Sequence, residues 1–567
     1  MVRRPDFVAV LVLLAAGLAY QLVLLDQGVG LIDEGHLANA ARRLARGEIL
    51  YRDVYTVYPP ASFHVVAGLF RVLGEDLFVL RGFHVAATLG LAVLVFAMGR
   101  RLMAPPFAWL AGGLVAMTGW RAILEGNHYA HLYGIVPASA LALLARADAR
   151  GPLEPRTLVQ IGMLAGLALA FRLEPFVGLA LASGVVVLVR AGSTRRGGVG
   201  LAALVAGTLV VVSPIGLYYA LHGALDELLR AVFWTSFGQY WQGGEFNLPM
   251  PPLQIVPEAV SRRALRRMFI SWEFRIPVVL YAIALVELLR AIGLGRRARP
   301  PRPVSSATLQ RAALALFGSV LYLRATGRSD YYHLAPTLFP AYLLGCDGLA
   351  RIGSRLARPR LRPLAWPAVG ALMAASLTLH QFDLAVARAR DDTAKVEVAP
   401  GGPRIPAVGA LDDLIRDVRA RTRADEPIVV LPWYPIVYFL ADRPNPTRFD
   451  WLFPGYLTTE ADVEAFLERI DRADVRVVVY SPISIDGLPD RSLSAFAPGI
   501  HRHLMRAFRP ERRYGRFWLM TRAGGSDAPA AAQGASDRGG LGPGDSFGSE
   551  WAPIDASGRT RRGEAPA

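Results

Sequence analysis

Asp33 and Glu34 stand side by side just past the first long apolar stretch, in the run Gly30-Leu31-Ile32-Asp33-Glu34-Gly35-His36, and Tyr58-Pro59-Pro60 follows soon after. Carboxylates at the edge of an apolar segment are expensive to keep, and a positioned carboxylate is a general base. At the rim of a bilayer, Asp33 with Glu34 beside it could take a proton from a hydroxyl group arriving from water while the other reactant stays in lipid. The same residue also suits a helix N-cap that accepts backbone N–H bonds from a helix starting near Gly35, which is worth about 1 kcal/mol. The residues alone leave both readings open.

Cationic groups that could meet an anion come next. The run from Arg324 to His333 packs Arg324, Arg328, Asp330, Tyr331, Tyr332 and His333 into one short segment. Arginine binds phosphate oxygens through a planar fork, so Arg328 is the first choice as a phosphate ligand, with Arg324 and His333 beside it. The plainer reading is a surface pair of Arg328 with Asp330, flanked by interfacial tyrosines. Arg172 sits two residues before Glu174, where it could reach a phosphate or simply close a tight helical hairpin. Arg81 lies about one turn inside an apolar span, from which it would snorkel toward Glu75 or Asp76 or reach the site.

Asp53, Tyr58 and Tyr331 are candidates to line a substrate, as are Tyr240 and Trp241 in a segment that also holds Trp234, Phe237, Phe246 and the pair Gly243-Gly244. Aromatic faces there could stack on a ligand, and the glycines would let the segment move; an aromatic belt at the bilayer surface has the same composition. Glu125, His128 and His131 share a helical spacing compatible with a metal, though histidines so placed usually make ordinary hydrogen bonds. Asp33, Glu34 and Asp53 could hold Mg or Mn through oxygen ligands, and the residues leave that question open.

The elements that must position these groups are mostly apolar helices. Of 567 residues, 53% are hydrophobic and 19% charged, with a mean hydropathy of +0.32, which places the chain largely in a membrane. The net charge of +16 comes in short arginine clusters between apolar runs rather than one stripe, which argues against nucleic-acid binding. The single cysteine, Cys346, excludes an intramolecular disulfide.

Apolar stretches near 7–25, 77–99, 104–120, 129–145, 158–172, 175–190, 199–221, 274–292, 307–323, 333–350 and 363–380 predict about eleven spans. Arg3 and Arg4 place the N-terminus in the cytoplasm, and the arginine clusters at 100–101, 146–156, 190–196, 290–302 and 351–362 then fall on the same side. Residues 33–34 and the segments around 172–174 and 328–330 face outward. The first apolar run exceeds a usual signal-peptide core, so a retained anchor is expected. Residues 34–46 predict an amphipathic interfacial helix with its arginines near lipid headgroups, and 61–74 a second juxtamembrane helix.

From about residue 400 the pattern changes. Helical periods at 411–420 and 460–470 alternate with short β-type runs at 428–431 and 475–480, and 513–521 predicts a last strand, so a small α/β domain is expected over 400–522. It would face the extracytoplasmic side. Residues 523–567, rich in Gly, Ser, Ala, Pro and Asp, predict a disordered tail. Residues 1–390 form the membrane domain.

The order of apolar span, Asp33-Glu34-Gly35, arginine-bearing helix, Gly47, Tyr51-Arg52-Asp53 and Tyr58-Pro59-Pro60 resembles the first outer loop of GT-C type membrane glycosyltransferases. It is most similar to bacterial relatives of protein O-mannosyltransferases and of lipid A aminoarabinose transferases, the glycosyltransferase family 39-like enzymes. The architecture of the resemblance covers about residues 7–380. It implies a polytopic α-helical enzyme of the plasma membrane that transfers a sugar from a polyprenyl-phosphate donor to an extracytoplasmic acceptor hydroxyl, with Asp33 as general base and Glu34 following it. A transporter or flippase of lipid-linked saccharides would place the charged residues near the bilayer midplane and show two related halves; here they cluster at one rim. A nonenzymatic envelope-polymer assembly protein would leave the Asp33 loop tolerant of change.

Overall fold

The computed structural model describes residues 4–26, 28–118, 130–146, 153–191, 193–235, 250–256, 262–293, 304–329, 331–356, 395–397, 404–406, 410–457, 459–485 and 488–523. Contacts divide the chain into two compact units, residues 1–393 with 398–406, and residues 394–397 with 407–567.

The first unit is helical. It runs through α1 (Arg4–Leu24), α2 (Asp33–Ala45), α3 (Ala61–Leu73), α4 (Leu77–Gly99), α5 (Pro105–Ala116), α6 (Ala130–Arg146), α7 (Pro155–Phe171), α8 (Leu173–Ala191), α9 (Thr194–Leu221), α10 (Leu225–Leu229), α11 (Arg262–Glu273), α12 (Ile276–Ala291), α13 (Ser306–Gly327), α14 (Tyr331–Leu334) and α15 (Phe339–Leu356). Among the described residues, five helices are long and apolar enough to cross a membrane: Asp6–Leu24, Leu77–Gly99, Leu173–Ala191, Thr194–Leu221 and Arg267–Ala291. Within the expected stretches 104–120, 129–145 and 158–172, the apolar helices Pro105–Ala116, Gly134–Ala145 and Pro155–Phe171 are too short to count among these. The stretch 333–350 is interrupted: α14 and a 3-10 turn at Ala335–Thr337 precede α15, with Pro336 and Pro340 breaking the helical ladder. The stretch 363–380 lies outside the described residues.

Two devices hold this unit together. The first is close helix packing through small residues. Gly162 on α7 meets Leu204 and Gly207 on α9, and a Cβ added to Gly207 would collide with the carbonyl oxygen of Val159. Thr208 adds an Oγ1 hydrogen bond of 3.1 Å to the carbonyl of Gly162. Gly207→Val is therefore expected to destabilise the chain by about 1–3 kcal/mol or more, read as a fall in thermal unfolding temperature in detergent; an unchanged temperature contradicts this packing.

The second device is a buried ion network. Asp347 on α15 is fully buried and receives Arg311 Nε at 2.7 Å and Arg351 Nε at 3.1 Å, and Glu287 on α12 joins both arginines. It ties α12, α13 and α15 through paired rather than isolated charges.

The second unit is built on a four-stranded sheet. Its elements are α16 (Leu411–Arg421), β1 (Ile428–Leu431), α17 (Ile436–Ala441), α18 (Glu460–Arg472), β2 (Val477–Tyr480), α19 (Leu493–Phe496), α20 (Pro498–Ala507), β3 (Phe508–Tyr514) and β4 (Phe517–Arg522). The strand order is β1-β2-β4-β3, with β1 parallel to β2 and the other pairs antiparallel. Every residue of β1 and β2 is buried, so both faces of this parallel pair are covered. The single strand expected over 513–521 is instead a hairpin, turning at Gly515 with φ +56°. A capping box between Thr459 and Asp462 starts α18.

Glu426, just before β1, accepts a hydrogen bond from Arg476, which holds its carboxyl below the usual range. A carboxyl with a depressed folded-state pKa contributes stability that is present above its ordinary value near 4.5 and is lost as pH falls through the depressed one. Glu426→Gln should remove that increment at pH 6 and flatten the loss between pH 5 and pH 3 in denaturant unfolding of the full chain. Identical slopes in the two proteins would contradict it.

Candidate active site

Helix α2 begins at Asp33, and its N-cap is Ile32, which makes no side-chain cap. The N-cap reading of Asp33 is thus corrected: the residue occupies the first helical position, half-buried, where the helix N-terminus favours a negative charge.

Glu34 points into the interior. Its side chain is fully buried against an equally buried Arg81 from α4. Arg81 Nε lies 2.6 Å from Glu34 Oε1, and Nη2 lies 2.9 Å from Oε2. The same guanidinium donates to the carbonyls of Leu25 and Gly28, and the Gly30 N–H donates to Glu34 Oε2 at 2.8 Å. Arg81 therefore does not snorkel toward Glu75 or Asp76. Glu75 pairs with Arg46 at 2.6 Å, and Asp76 caps α4 through the N–H of Phe78. Burial of Glu34 with Arg81 fastens the turn before α2 to the neighbouring span, and so fixes where Asp33 stands.

The loop after α2 is built from its own side chains. Arg42 and Arg43, expected near headgroups, are buried: Arg42 donates to Asn39, and Arg43 donates to Glu48 and to the carbonyl of Asp53. Arg71 on α3 closes the end of α2 by donating to the carbonyls of Leu44 and Ala45. Asp53 pairs with Arg52 at 2.7 Å and accepts the Ile49 N–H at 2.8 Å; the Arg52 guanidinium, then the Ile49 N–H, holds its carboxyl below the usual range. Tyr51 takes a left-handed backbone at φ +70°, costly for a bulky residue, and its hydroxyl donates to the carbonyl of Tyr58 at 2.8 Å. His36 on α2 reaches Thr56 at 3.2 Å, which joins the helix to the loop.

That loop delivers Tyr58 to Arg172, whose guanidinium lies 5.0 Å from the ring centroid. Arg172 is the one extended residue between α7 and α8. It is buried and contacts Glu174 through Nε at 3.2 Å and Nη2 at 3.0 Å. Arg324, in the last turn of α13, donates to the same carboxylate at 2.8 Å. Two candidates read separately from the sequence, Arg172 and Arg324, thus meet at Glu174, and Tyr58 packs on Arg172. Arg328 follows at the end of α13, half-buried, and His333 lies half-buried on α14, which also carries Tyr331. Tyr240 and Trp241, with the glycine-bearing segment around them, lie outside the described residues, as do Glu125 and His128.

The carboxylates proposed as shared Mg or Mn ligands do not fit that role together. Both oxygens of Glu34 are engaged by Arg81 and the Gly30 N–H, and Asp53 is engaged by Arg52 and the Ile49 N–H. Among the described residues, no group of three or more His, Cys, Asp or Glu is placed to hold a metal ion.

No protein-family model matches the chain, and no curated protein sequence matches it. Solved structures do. ArnT from Cupriavidus metallidurans is similar in its apo state with a TM-score of 0.54, and bound to undecaprenyl phosphate with 0.52. In both cases 14% of residues are identical, and the match covers 92% of this chain and 99% of that one. The archaeal oligosaccharyltransferase AglB from Archaeoglobus fulgidus, in complex with an inhibitory peptide and a dolichol-phosphate, gives a TM-score of 0.48 at 11% identity, over 92% of this chain and 74% of that one. The chain shares the fold of ArnT. ArnT matches it over nearly the whole length of both chains.

Proposed function

We propose that this protein is an inverting membrane glycosyltransferase that moves a sugar from a polyprenyl-phosphate donor to an acceptor hydroxyl outside the cytoplasm. In this reading about eleven helices cross the plasma membrane, the N-terminus is cytoplasmic, and Asp33 and the second unit face the extracytoplasmic side. The acceptor is a lipid, glycan or protein hydroxyl.

Asp33 takes the hydroxyl proton as the acceptor oxygen attacks the anomeric carbon, and the carbon–oxygen bond to phosphate breaks. The electron pair leaves with the lipid phosphate. That leaving group is already anionic, so it calls for cationic hydrogen-bond donors rather than a protonated acid. Arg172 and Arg324 supply them, with Arg328 and His333 close along the chain, and Tyr58 supports Arg172. Glu34 acts through Arg81 by holding Asp33 in place. One displacement inverts the anomeric configuration.

The observation that carries this reading is the carboxylate at the first turn of a helix anchored by a buried ion pair, tied through His36, Thr56 and Tyr58 to two arginines sharing one glutamate. The fold shared with ArnT, one structure of which holds undecaprenyl phosphate, supports the donor class. The test is transfer by purified chain in vesicles, supplied with a panel of radiolabelled polyprenyl-phosphate hexoses and pentoses and a membrane extract as acceptor source. Label should move from at least one donor. No transfer from any donor, by a folded chain that also binds no polyprenyl phosphate, overturns the proposal.

A further inference from the structure

Glu174 draws the two arginines together and also cancels part of their charge. Arg172 contacts it through two nitrogens and Arg324 through one, all between 2.8 and 3.2 Å. The arginines come from distant parts of the sequence, one from the turn between α7 and α8 and the other from the end of α13. Two guanidiniums this close repel each other in a site with little water, and the shared carboxylate makes the arrangement stable. It also sets the sum of these three side chains at one positive charge.

That sum matters because the ligand's charge changes during the reaction. The donor is a phosphodiester with one negative charge. Departure of the sugar leaves a phosphate monoester, whose second ionisation lies near pH 6, so that it carries about one and a half to two negative charges at pH 7. A pair of arginines without a counter-charge would hold the product more firmly than the substrate and slow its exchange for the next donor.

We infer that Glu174 is a specificity-determining residue that narrows the preference of Arg172 and Arg324 for the monoester product over the diester donor, and so allows the spent lipid phosphate to leave. The inference rests on the donor reading given above. Glu174 touches neither lipid and acts through the arginines.

The test measures binding of undecaprenyl phosphate and of its methyl diester to the full chain in nanodiscs, with no turnover required. Wild-type chain should prefer the monoester by no more than about tenfold, and Glu174→Gln should widen that preference about tenfold further, since the net charge of the site then rises by one. Product inhibition by undecaprenyl phosphate should deepen in parallel. Glu174→Asp, which keeps the charge, should keep the wild-type ratio. Equal weakening of both lipids in Glu174→Gln, or an unchanged ratio, overturns the inference and leaves Glu174 as a brace only. If Glu174→Gln fails to fold, the wild-type ratio decides: a monoester preference above about thirtyfold overturns the inference. Binding of neither lipid by folded wild-type chain overturns the donor reading and this inference together.

Discussion

Arg81→Met is expected to cost the chain about 3–5 kcal/mol, the usual penalty for leaving one member of a buried ion pair without its partner. Glu34 and Arg81 are both fully buried, and no water reaches the carboxylate to replace the lost guanidinium. The loss extends beyond the pair. Arg81 also satisfies the carbonyls of Leu25 and Gly28, so the turn leading into α2 loses three anchors in one substitution. Thermal unfolding in detergent should show the fall, and transfer activity should drop with it because Asp33 is displaced. Replacing both partners, in Glu34→Leu with Arg81→Met, should recover part of the stability, because two apolar side chains pack where two charges had to be desolvated. Recovery should stop short of wild type, since the two carbonyls remain unpaired. If Arg81→Met unfolds at the wild-type temperature, the pair does not anchor the turn.

Much of this site was legible where its partners are close in sequence. The change of pattern at Asp33 marked the start of a helix, and the pair Arg172 and Glu174, two residues apart, announced a charged turn between two apolar runs. Contacts between distant segments left no such sign. Arg81 is 47 residues from Glu34, and a lone arginine near the end of an apolar span looks the same whether it snorkels to water or points inward to a carboxylate. Arg324 is 150 residues from Glu174, and only the fold brings them together. Arg42 and Arg43 misled for a related reason: helical periodicity shows which face carries charge, but not that Asn39, Glu48 and the Asp53 carbonyl wait to receive it. In the second unit, Ile428–Leu431 was plain as a strand because every position is apolar. Strand β3 was hidden because Phe508–Tyr514 is an edge strand with Arg509, Pro510, Glu511, Arg512 and Arg513 between its buried ends. Charges and proline on an edge protect it from pairing with other chains, and they also erase the signature of a strand.

Asp33→Asn is expected to lower kcat by about a hundredfold to ten-thousandfold, the contribution of a positioned general base, while leaving donor affinity near that of wild type. Asparagine is nearly the same size and keeps the helix start, but it cannot take a proton at neutral pH. The donor's phosphate is held elsewhere in this account, at Arg172 and Arg324, so KM for the donor should change little. Arg172→Ala should show the opposite pattern, with weakened donor binding and a smaller effect on the bound complex.

The decisive measurement is a single-turnover experiment on purified Asp33→Asn chain in vesicles, with radiolabelled donor saturating the protein and its occupancy read in the same samples used to follow transfer. Full occupancy with no transfer on the wild-type time scale is the predicted result. Transfer at the wild-type rate from a fully occupied Asp33→Asn site would contradict the assignment of Asp33 as the base.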